Sequence, residues 1–498
     1  MKIKELLRDD FEVTGKSDID ISSIHCNSKE VTKQSLFVAI TGNRDGHDFI
    51  EEAIKNGAIC VIYEKNRFKP LNYPAVTWIG VNDTRDAFAW ICSRFYDNPS
   101  QKLKIIGITG TNGKTTTSYL IRDILQKQGK KTGVIGTIKY LIENEERNAT
   151  HTTPEALHFQ GLLNEMRERG IEYVISEVSS HALALKRVDY TGFDIAVFTN
   201  LSRDHLDFHK DMEEYFSAKK RLFTELLKEG GTAVINIDDS YGRRLADELK
   251  TKKILYSLQN PDVDIYVKNY ALKFKETELV VVIKGNEEMF IKTNFLGIPN
   301  IYNVLSAISV GFALGVPLNV IKTALSEAKA PAGRFEKVDE GQDFLVFVDY
   351  AHSPDALERL LMSVKKLKEK ISVNGRIITV FGCGGNRDRG KRPQMGRIAT
   401  ELSDQVILTS DNPRWEAPRE IIREIEGGIS KDNYIVVTDR KEALWIATRI
   451  CKKGDILIVA GKGHEDYQEI EGKRYPFSDR EFLKKALKDS GKQRNVYS

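Results

Sequence analysis

The most constraining feature of this sequence is the glycine-rich segment Gly107–Thr117, GITGTNGKTTT. An apolar, β-branched run, Leu103–Thr109, leads into it, and apolar residues at helical spacing follow it from Leu120 to Leu125. Gly129 lies just beyond this pattern, where a glycine commonly ends a helix. A strand, a glycine-rich loop and a helix in this order predict an open α/β sheet with a phosphate-binding loop.

The residue types in the loop indicate its ligand. Gly110 and Gly113 let backbone amides approach phosphate oxygens, and the start of the following helix adds donors and partial positive charge. Lys114 is placed to neutralise β- and γ-phosphates, and the Thr115 hydroxyl is placed to hold Mg2+. The strict phosphate-loop pattern has glycine where this chain has Ile108, so the loop is a variant. It predicts the binding of a nucleoside triphosphate.

Strands and helices alternate along most of the chain. The apolar runs of strand length are Ser35–Ile40, Leu103–Thr109, Tyr173–Val178, Asp194–Thr199, Thr232–Ile237, Phe344–Asp349, Arg376–Phe381, Gln405–Thr409 and Ile456–Ala460. This alternation predicts an α/β fold whose central sheet is doubly wound and mostly parallel. Turn-rich segments at 97–101 and 330–334 indicate three domains. We expect a smaller α/β N-terminal domain over 1–100, a central domain over 101–334 and a Rossmann-like C-terminal domain over 335–498.

Composition excludes several classes of protein. The 498 residues carry 75 Lys and Arg against 71 Asp and Glu, a net charge of +4, without the basic excess of a dedicated nucleic-acid binder. Five widely spaced cysteines without a CxxC pair exclude a disulfide framework and a structural zinc site. No apolar run approaches the roughly 20 residues of a membrane-spanning helix, and the N-terminus lacks a signal-peptide pattern. We therefore expect a soluble, intracellular protein.

Titratable residues follow two further strands of the predicted central sheet. Glu177 comes directly after the run Tyr173–Ser176, where a carboxylate can reach Mg2+ held by the loop. His205 and His209 are four residues apart, a spacing that alone leaves open whether the pair is functional or coincidental. Ligands of open α/β sheets bind at the carboxyl ends of the strands, so we expect these side chains near the loop.

With these features assembled, the chain resembles the Mur ligases, the ATP-dependent amide-forming enzymes of peptidoglycan synthesis. The motifs that carry the resemblance are NSKEVTKQSLFVAITGNRDGHDF at 27–49, EVSSHALALKRV at 177–188, TNLSRDHLDFHK at 199–210, SAKK at 217–220, FGCGGNRDRGKRP at 381–393, DNPR at 411–414 and GKGHEDYQ at 461–468. The first is similar to the uridine-binding segment, and the last three to the amino-acid-binding segments, of the family member that adds the third peptide residue.

The resemblance implies an ATP-dependent acid–amino-acid ligase that forms ADP. In this family ATP phosphorylates the terminal carboxylate of UDP-N-acetylmuramoyl-L-alanyl-D-glutamate, and an amine then displaces phosphate from the acyl phosphate. Unit charges of like sign 4 Å apart repel by about 4 kcal/mol at an effective dielectric near 20, which Mg2+ ions offset. Thr115, Glu177 and His205 match metal ligands, and Lys219 matches the family lysine that carries a carbamate. The expected catalytic set consists of Glu177, His205 and Lys219 together with Lys114.

The resemblance also implies contacts to both nucleotides. The ATP contacts are Gly110, Thr111, Asn112, Gly113, Lys114, Thr115, Thr116, Asn300, Asn303, Arg334 and Asp349. The contacts to the UDP-sugar dipeptide are Ser28, Thr152, Thr153, Ser179 and Arg187. Asn27 and Lys29 depart from the Asp and Arg usual in the family, and His47 is open between a place near the uridine and a structural role in a turn.

Selection of the added amino acid is expected in the C-terminal motifs. The residues implied are Arg387, Asp411, Asn412, Pro413, Arg414, Gly461 and Glu465. Arg414 offers a guanidinium fork for the distal carboxylate of meso-2,6-diaminopimelate, and Glu465 offers an anion for its ammonium. A buried Arg414 without a carboxylate partner would be costly. These arguments favour diaminopimelate, and the alternative is L-lysine, which lacks that carboxylate.

Two other classes differ from this pattern. Folylpolyglutamate synthetases and the Mur ligase that adds the terminal dipeptide share the phosphate loop and the modified lysine, but lack DNPR together with GKGHE. An ATPase that moves nucleic acid requires a basic groove interleaved with aromatic residues, which the sequence does not show. We expect a cytoplasmic monomer that acts on small molecules and binds neither nucleic acid nor membranes.

Overall fold

Residues 1–42, 44–285 and 287–494 are described by the computed structural model of this chain. They divide into two compact units, one formed by Met1–Ile265 with Ser306–Ile321, and one by Tyr266–Leu305 with the described part of Lys322–Ser498. The boundaries of the three domains expected from the sequence stay a prediction. None of the described helices is long and apolar enough to span a membrane.

The first unit begins with a five-stranded sheet. Its elements are β1 (Glu12–Thr14), β2 (Ser23–His25), β3 (Ser35–Val38), α1 (Ile50–Lys55), β4 (Ala58–Glu64), β5 (Thr77–Val81) and α2 (Thr84–Phe95), with 3-10 turns at Ile3–Glu5, Ser28–Glu30, Gly46–Phe49 and Pro99–Gln101. The strand order is β1-β5-β4-β3-β2, parallel except for β1. This confirms the smaller N-terminal α/β sheet.

The phosphate loop belongs to a second, larger sheet of the first unit. Its elements are β6 (Lys104–Thr109), α3 (Lys114–Lys127), β7 (Thr132–Ile135), β8 (Lys139–Ile142), β9 (Glu145–Asn148), α4 (Ala156–Glu168), β10 (Tyr173–Glu177), α5 (Ser180–Ala184), β11 (Phe193–Phe198), α6 (Met212–Thr224), β12 (Leu227–Asn236), α7 (Ser240–Glu248) and β13 (Lys252–Ser257). The order β13-β12-β11-β6-β10-β7 is parallel, and β8 and β9 extend it antiparallel.

Burial explains why these strands form the centre of the unit. Ile105, Val174 and Phe198 are among the apolar strand residues that pack in one cluster with helix residues such as Leu163 and Leu222. Strands buried on both faces read as continuous apolar runs rather than as alternating ones, which is the pattern of the sequence here. The predicted mostly parallel, doubly wound sheet is therefore confirmed.

The second unit contains its own parallel sheet. Its elements are β14 (Ile265–Leu272), β15 (Thr277–Ile283), β16 (Glu287–Thr293), α8 (Ile298–Ala313) as far as Leu305, α9 (Leu318–Glu327) from Lys322 onward, β17 (Glu336–Lys337), β18 (Leu345–Asp349), α10 (Pro354–Lys370), β19 (Ile377–Phe381), α11 (Lys391–Leu402), β20 (Gln405–Leu408), α12 (Pro418–Glu426), β21 (Tyr434–Val436), α13 (Arg440–Ile450), β22 (Ile456–Ala460), β23 (Tyr467–Ile470), β24 (Lys473–Pro476) and α14 (Asp479–Arg494). Six strands follow the order β17-β18-β22-β19-β20-β21, and all but β17 are parallel. This is the mostly parallel arrangement expected of a Rossmann-like sheet.

All nine apolar runs of the sequence coincide with strands. The largest difference is at β12, which begins at Leu227 rather than at Thr232. Gly230 and Gly231 interrupt its apolar pattern, and the pairing with β11 shifts register there. The five cysteines are free thiols, which confirms that the fold has no disulfide framework.

Arg440 and Asp479 form an ion pair that is fully buried in the second unit. Arg440 Nε and Nη2 each donate to a different carboxylate oxygen of Asp479, at 2.7 Å. The guanidinium also donates to the backbone oxygens of Ser410 (3.3 Å) and Ala460 (3.1 Å). The pair therefore joins the start of α14 to the ends of β20 and β22, next to the DNPR and GKGHE motifs.

Replacing Arg440 by Met is expected to lower the free energy of unfolding by about 3 kcal/mol, because it leaves Asp479 buried without a cation. Urea unfolding followed by circular dichroism measures the change. The double variant Arg440→Met/Asp479→Leu removes the orphaned charge and should recover a large part of the loss. A single variant that unfolds at the urea midpoint of the unmodified protein would contradict this account of the pair.

Candidate active site

Three neighbouring strands place the candidate catalytic residues of the first unit. In the order β11-β6-β10, Phe198 pairs with Thr109, and Glu177 pairs with Ile108. Their carboxyl ends therefore lie at one edge of the sheet, as ligand sites of open α/β sheets require. Gly110 leaves β6 with φ +145°, and a Cβ there would lie 1.9 Å from Thr199 Oγ1, so only glycine fits.

The side-chain nitrogens of two lysines meet at this edge. Lys114, the first residue of α3, donates through Nζ to the backbone oxygens of Gly110 (2.8 Å) and Thr111 (3.0 Å). Lys219 on α6 donates to the same Gly110 oxygen at 2.9 Å. Two ammonium groups that share one carbonyl oxygen would repel each other, so this arrangement favours either a neutral amine at one lysine or a bound anion.

Lys219 is buried, with 1% of its surface exposed. Its Nζ lies 4.6 Å from the centre of the Tyr215 ring, and the Tyr215 hydroxyl lies 3.1 Å from Thr111 Oγ1 of the loop. Burial, together with the Lys114 charge, lowers the pKa of Lys219 well below its usual 10.5. The environment therefore favours a neutral amine over an ammonium at this position.

Glu177 is the buried carboxylate of the site, with 1% of its surface exposed. It accepts hydrogen bonds from Thr115 Oγ1 (2.9 Å), Thr137 Oγ1 (2.8 Å) and the Thr137 amide (3.0 Å). Within the described residues it has no ion pair with a lysine, arginine or histidine. A carboxylate and a hydroxyl 2.9 Å apart supply the hard oxygen atoms that Mg2+ prefers.

The predicted histidine pair divides into two environments. His205 is partly exposed, adopts φ +54° and faces the rings of His181 (4.9 Å) and Tyr215 (6.0 Å) edge-on. His209 is buried against Tyr215, and neither ring nitrogen has a hydrogen-bond partner within the described chain. Among those residues no group of three or more His, Cys, Asp and Glu side chains is arranged to hold a metal ion. His205 as a metal ligand therefore stays a prediction.

Four expected contacts to the dipeptide come together beside Glu177. Thr153 Oγ1 donates to the Glu177 backbone oxygen at 2.8 Å and accepts from the Ser179 amide at 3.1 Å. Thr152 Oγ1 lies 3.1 Å from Thr137 Oγ1. Arg187 Nη1 donates to the Thr153 oxygen at 3.2 Å, and Arg187 Nε lies 2.7 Å from a Glu155 carboxylate oxygen.

The predicted uridine segment lies on the five-stranded sheet. Ser28 begins a 3-10 turn and donates through Oγ to Glu52 at 2.6 Å. Asn27 caps this turn by accepting from the Lys29 amide at 3.2 Å, which gives the departure at 27 a structural role. His47 is buried, with Nδ1 2.5 Å from Asp45 and Nε2 accepting from the Glu64 amide at 2.9 Å. These bonds support the structural role for His47.

In the second unit, the expected adenine-side residues Asn300 and Asn303 lie in the first turns of α8. Asn300 Nδ2 donates to the Leu296 oxygen at 2.9 Å, and Asn303 Nδ2 donates to Asn300 Oδ1 at 3.0 Å. Both side chains are buried. Their amides are thus ordered by local bonds, and their contact with adenine stays a prediction.

Arg334 and Asp349 lie beside the GKGHE segment. The Asp349 carboxylate accepts from the amides of Phe335 (2.7 Å) and Ala351 (2.9 Å), and burial raises its pKa. The Arg334 guanidinium lies over the Tyr350 ring, 5.3 Å from its centre. A Cβ on Gly333 would lie 2.2 Å from the His464 amide nitrogen, so the glycine permits this close backbone approach.

The DNPR motif packs on the glycine-rich turn after β19. A Cβ on Gly385 would lie 1.9 Å from the Pro413 oxygen, and one on Gly461 would lie 2.9 Å from Asp411 Oδ2. The structure therefore brings the three predicted amino-acid-binding motifs together. Arg387 in the same turn is exposed and makes no hydrogen bond or ion pair within the described residues.

Two charged partners in this cluster were not expected from the sequence. The fully buried Lys462 donates through Nζ to Glu465 Oε2 and Asn412 Oδ1, both at 3.0 Å. Arg414 Nε donates to Glu469 Oε2 at 3.1 Å. Arg414 therefore has a carboxylate partner within the chain, and the cost of an unpaired Arg414 does not by itself require a substrate carboxylate.

Comparison with known protein families gives three ordered matches. The family model of the Mur ligase family, catalytic domain, matches residues 20–96. The model of the Mur ligase middle domain matches 108–311, and that of the Mur ligase, glutamate ligase domain, matches 333–463. Together these matches follow the same order along the chain as the motifs.

Individual relatives extend the match to nearly the full length. The chain is 44% identical over 496 residues to the UDP-N-acetylmuramoyl-L-alanyl-D-glutamate–2,6-diaminopimelate ligase of Caldanaerobacter subterraneus subsp. tengcongensis, covering 99% of this chain and 100% of the relative. It is 45% identical over 473 residues to the ligase of the same name of Aquifex aeolicus, covering 95% and 94%.

Solved structures agree with the sequence relatives. A structure of a UDP-N-acetylmuramoyl-L-alanyl-D-glutamate–2,6-diaminopimelate ligase matches with a TM-score of 0.71 and 32% identity, covering 99% of both chains. The MurF ligase of Thermotoga maritima in complex with ADP shares the fold, with a TM-score of 0.61 and 20% identity over 94% of this chain and 98% of that one. By its three family-model matches and its full-length relatives, the chain belongs to the Mur ligase family.

Proposed function

We propose that this chain adds meso-2,6-diaminopimelate to UDP-N-acetylmuramoyl-L-alanyl-D-glutamate, with ATP as the source of energy. The observation that carries the ligase chemistry is the convergence of Lys114 Nζ and Lys219 Nζ on the Gly110 oxygen at the edge where Thr115 meets Glu177. The names of the relatives support this choice of substrates. Synthesis of a peptidoglycan precursor from these soluble metabolites places the enzyme in the cytoplasm, and we take it to act as a monomer.

The phosphate loop would hold the triphosphate. Lys114 would move from the Gly110 and Thr111 oxygens to the β- and γ-phosphates, because an anion is a stronger partner for an ammonium than a carbonyl oxygen. Thr115 and Glu177 would hold Mg2+, and His205 would contribute to a second ion. Mg2+, when bound, reduces the repulsion between the substrate carboxylate and the γ-phosphate.

Lys219 would act as a carbamate. Its buried, neutral amine attacks CO2, a nitrogen–carbon bond forms and one proton is released. The modification places beside Lys114 an anion whose oxygens suit Mg2+. Lys220 is a poor candidate for this role, because its side chain is partly exposed and pairs with Glu248 at 2.5 Å.

The remaining residues would bind the two substrates to be joined. Thr153 bonds the Glu177 backbone and is itself bonded by Ser179 and Arg187. These three residues, with Thr152, would orient the dipeptide carboxylate. Arg414 would bind the distal carboxylate of diaminopimelate, with Glu465 near its ammonium. L-Lysine stays the second candidate, since the Arg414–Glu469 pair gives Arg414 a carboxylate partner without a substrate carboxylate.

Phosphate release by the purified protein tests the proposal. The assay contains ATP, Mg2+ and UDP-N-acetylmuramoyl-L-alanyl-D-glutamate, with meso-diaminopimelate, L-lysine or no amino acid in parallel. We expect turnover that requires an amino acid and is far faster with diaminopimelate than with L-lysine. Turnover that is equal or greater with L-lysine would overturn the specificity and keep the ligase, whereas turnover independent of any amino acid would overturn the ligase itself.

A further inference from the structure

Two of the three nitrogens of the Arg414 guanidinium donate hydrogen bonds to partners within the chain. Its Nε donates to Glu469 Oε2 at 3.1 Å, and its Nη1 donates to the Gly385 oxygen at 2.9 Å. A guanidinium has five N–H donors, of which these bonds use two. The three that remain are both hydrogens of Nη2 and one of Nη1, and one hydrogen from each of these nitrogens forms the end of the fork that binds a carboxylate with two parallel bonds.

The backbone around Arg414 is fixed as well. Arg414 has φ +52°, which is unfavourable for a residue with a Cβ. Its amide donates to the Glu469 oxygen at 3.0 Å, and the residue forms an isolated parallel bridge with Ile470. Strand β23 therefore holds both the main chain and the side chain of Arg414, and the backbone bonds persist when the Glu469 side chain is changed.

We infer that Glu469 is a positioning residue that orients Arg414 for the distal carboxylate of the amino-acid substrate. The inference rests on the proposed function and adds a determinant of its specificity. Glu469 binds Nε alone, so it fixes the plane of the guanidinium and leaves the end of the fork available. A side chain that is already oriented loses less conformational entropy when the substrate binds. L-Lysine gains nothing from this arrangement, because it has no distal carboxylate.

Glu469 is also close enough to compete for Arg414, and the two roles predict opposite results. If Glu469 positions Arg414, its removal weakens the binding of diaminopimelate. If Glu469 instead occupies the place of the substrate carboxylate, its removal strengthens that binding. The monodentate contact through Nε favours positioning, because a competing carboxylate would take the two-bond end of the fork.

The test compares Glu469→Leu, Glu469→Gln and the control Glu471→Gln in the full-length enzyme. The Glu471 side chain is exposed, has no described side-chain bond and lies two residues along the same hairpin. For Glu469→Leu we expect the KM for diaminopimelate to rise about tenfold, with kcat and the KM for ATP within twofold of the unmodified enzyme. Glu469→Gln keeps an oxygen that accepts from Nε and should recover most of the loss, and Glu471→Gln should stay within twofold throughout.

Several results would overturn the inference. A lower KM for diaminopimelate in Glu469→Leu would make Glu469 a competitor. Equal rises in the KM for ATP and for diaminopimelate would show that Glu469 supports the fold instead, and so would a Glu469→Gln enzyme that does not recover the KM for diaminopimelate. An unchanged KM for diaminopimelate in Glu469→Leu would show that Glu469 has no role in binding. The unmodified enzyme distinguishes a failure of the proposed function from a failure of this inference. If the unmodified enzyme does not use diaminopimelate, the proposed function and this inference are both overturned. If it turns over normally and the Glu469 variants leave the KM for diaminopimelate unchanged, the inference alone is overturned.

Discussion

Lys219→Ala is expected to lower kcat about 10³-fold, which is the upper part of the range for removing one preorganised electrostatic contact to a transition state. The alanine removes the amine that would carry the carbamate, and with it the anionic oxygens that would face Mg2+. It also removes the bond to the Gly110 oxygen, but Lys114 still donates to that oxygen. Initial rates of phosphate release at saturating substrates measure the effect.

Lys220→Ala is the matched control for this prediction. Lys220 is the next residue on α6, and its ammonium pairs at the surface with Glu248. Its removal should leave kcat within twofold, because exposed ion pairs contribute little to stability. Intact-mass measurement under CO2 should show the carbamate in the unmodified protein and in Lys220→Ala, but not in Lys219→Ala. A Lys219→Ala enzyme with nearly normal kcat would contradict the assigned role.

Arg414→Met is expected to lower kcat/KM for diaminopimelate about 10³-fold. Truncating one partner of a buried, hydrogen-bonded charge pair costs about 2–5 kcal/mol, and about 4 kcal/mol corresponds to a factor near 10³. Whatever rate the enzyme shows with L-lysine should change far less, because that substrate has no distal carboxylate. Arg414→Lys keeps the charge but not the fork, so its kcat/KM for diaminopimelate should lie between that of the unmodified enzyme and that of Arg414→Met.

Arg423→Met is the control for the loss of an arginine from the same unit. Arg423 lies on α12, is largely exposed and pairs with the exposed Glu420. We expect its kcat/KM for diaminopimelate to stay within twofold of the unmodified enzyme. Equal losses with diaminopimelate and L-lysine in Arg414→Met would show that Arg414 supports the fold of the site rather than the selection of the substrate.

The parallel strands could be predicted from the sequence because each is buried and therefore apolar throughout. Only the family resemblance selects Lys219 over Lys220, and the helix pattern explains its burial. Tyr215, Lys219 and Leu222 lie at i, i+4 and i+7 of α6, so one helix face carries all three into the core, whereas Lys220 points away. The structure buries Lys219, with 1% of its surface exposed, and its role as the modified lysine stays a prediction.

The ion pairs around the amino-acid motifs could not be predicted in this way. Arg414 and Glu469 are 55 residues apart in sequence, and they meet because β23 and β24 form a hairpin next to DNPR. The sequence does contain a signal for that hairpin, which is the glycine at 472. In the structure Glu471 and Gly472 form a two-residue turn between the strands, and both have positive φ. The pairing of this hairpin with Arg414 depends on tertiary contacts, which the local sequence pattern does not determine.

The contacts of Lys462 could not be predicted either, although one of its partners is only three residues away in sequence. It lies within the GKGHE segment, and its position suggests a phosphate or substrate contact as readily as a structural one. In the folded chain it is fully buried and bonds both Glu465 and Asn412, two residues expected to contact the amino acid. Its role follows from burial, which the sequence of a short glycine-rich segment does not determine.

Competition between the two candidate amino acids determines which extended UDP-sugar peptide the enzyme makes. The purified enzyme is incubated with ATP, Mg2+, UDP-N-acetylmuramoyl-L-alanyl-D-glutamate and equal amounts of meso-diaminopimelate and L-lysine, and the nucleotide products are separated by mass. The proposed function predicts that nearly all product carries diaminopimelate and that one ADP forms for each product. A product that carries mainly L-lysine, or ADP formed without any extended nucleotide, would contradict it.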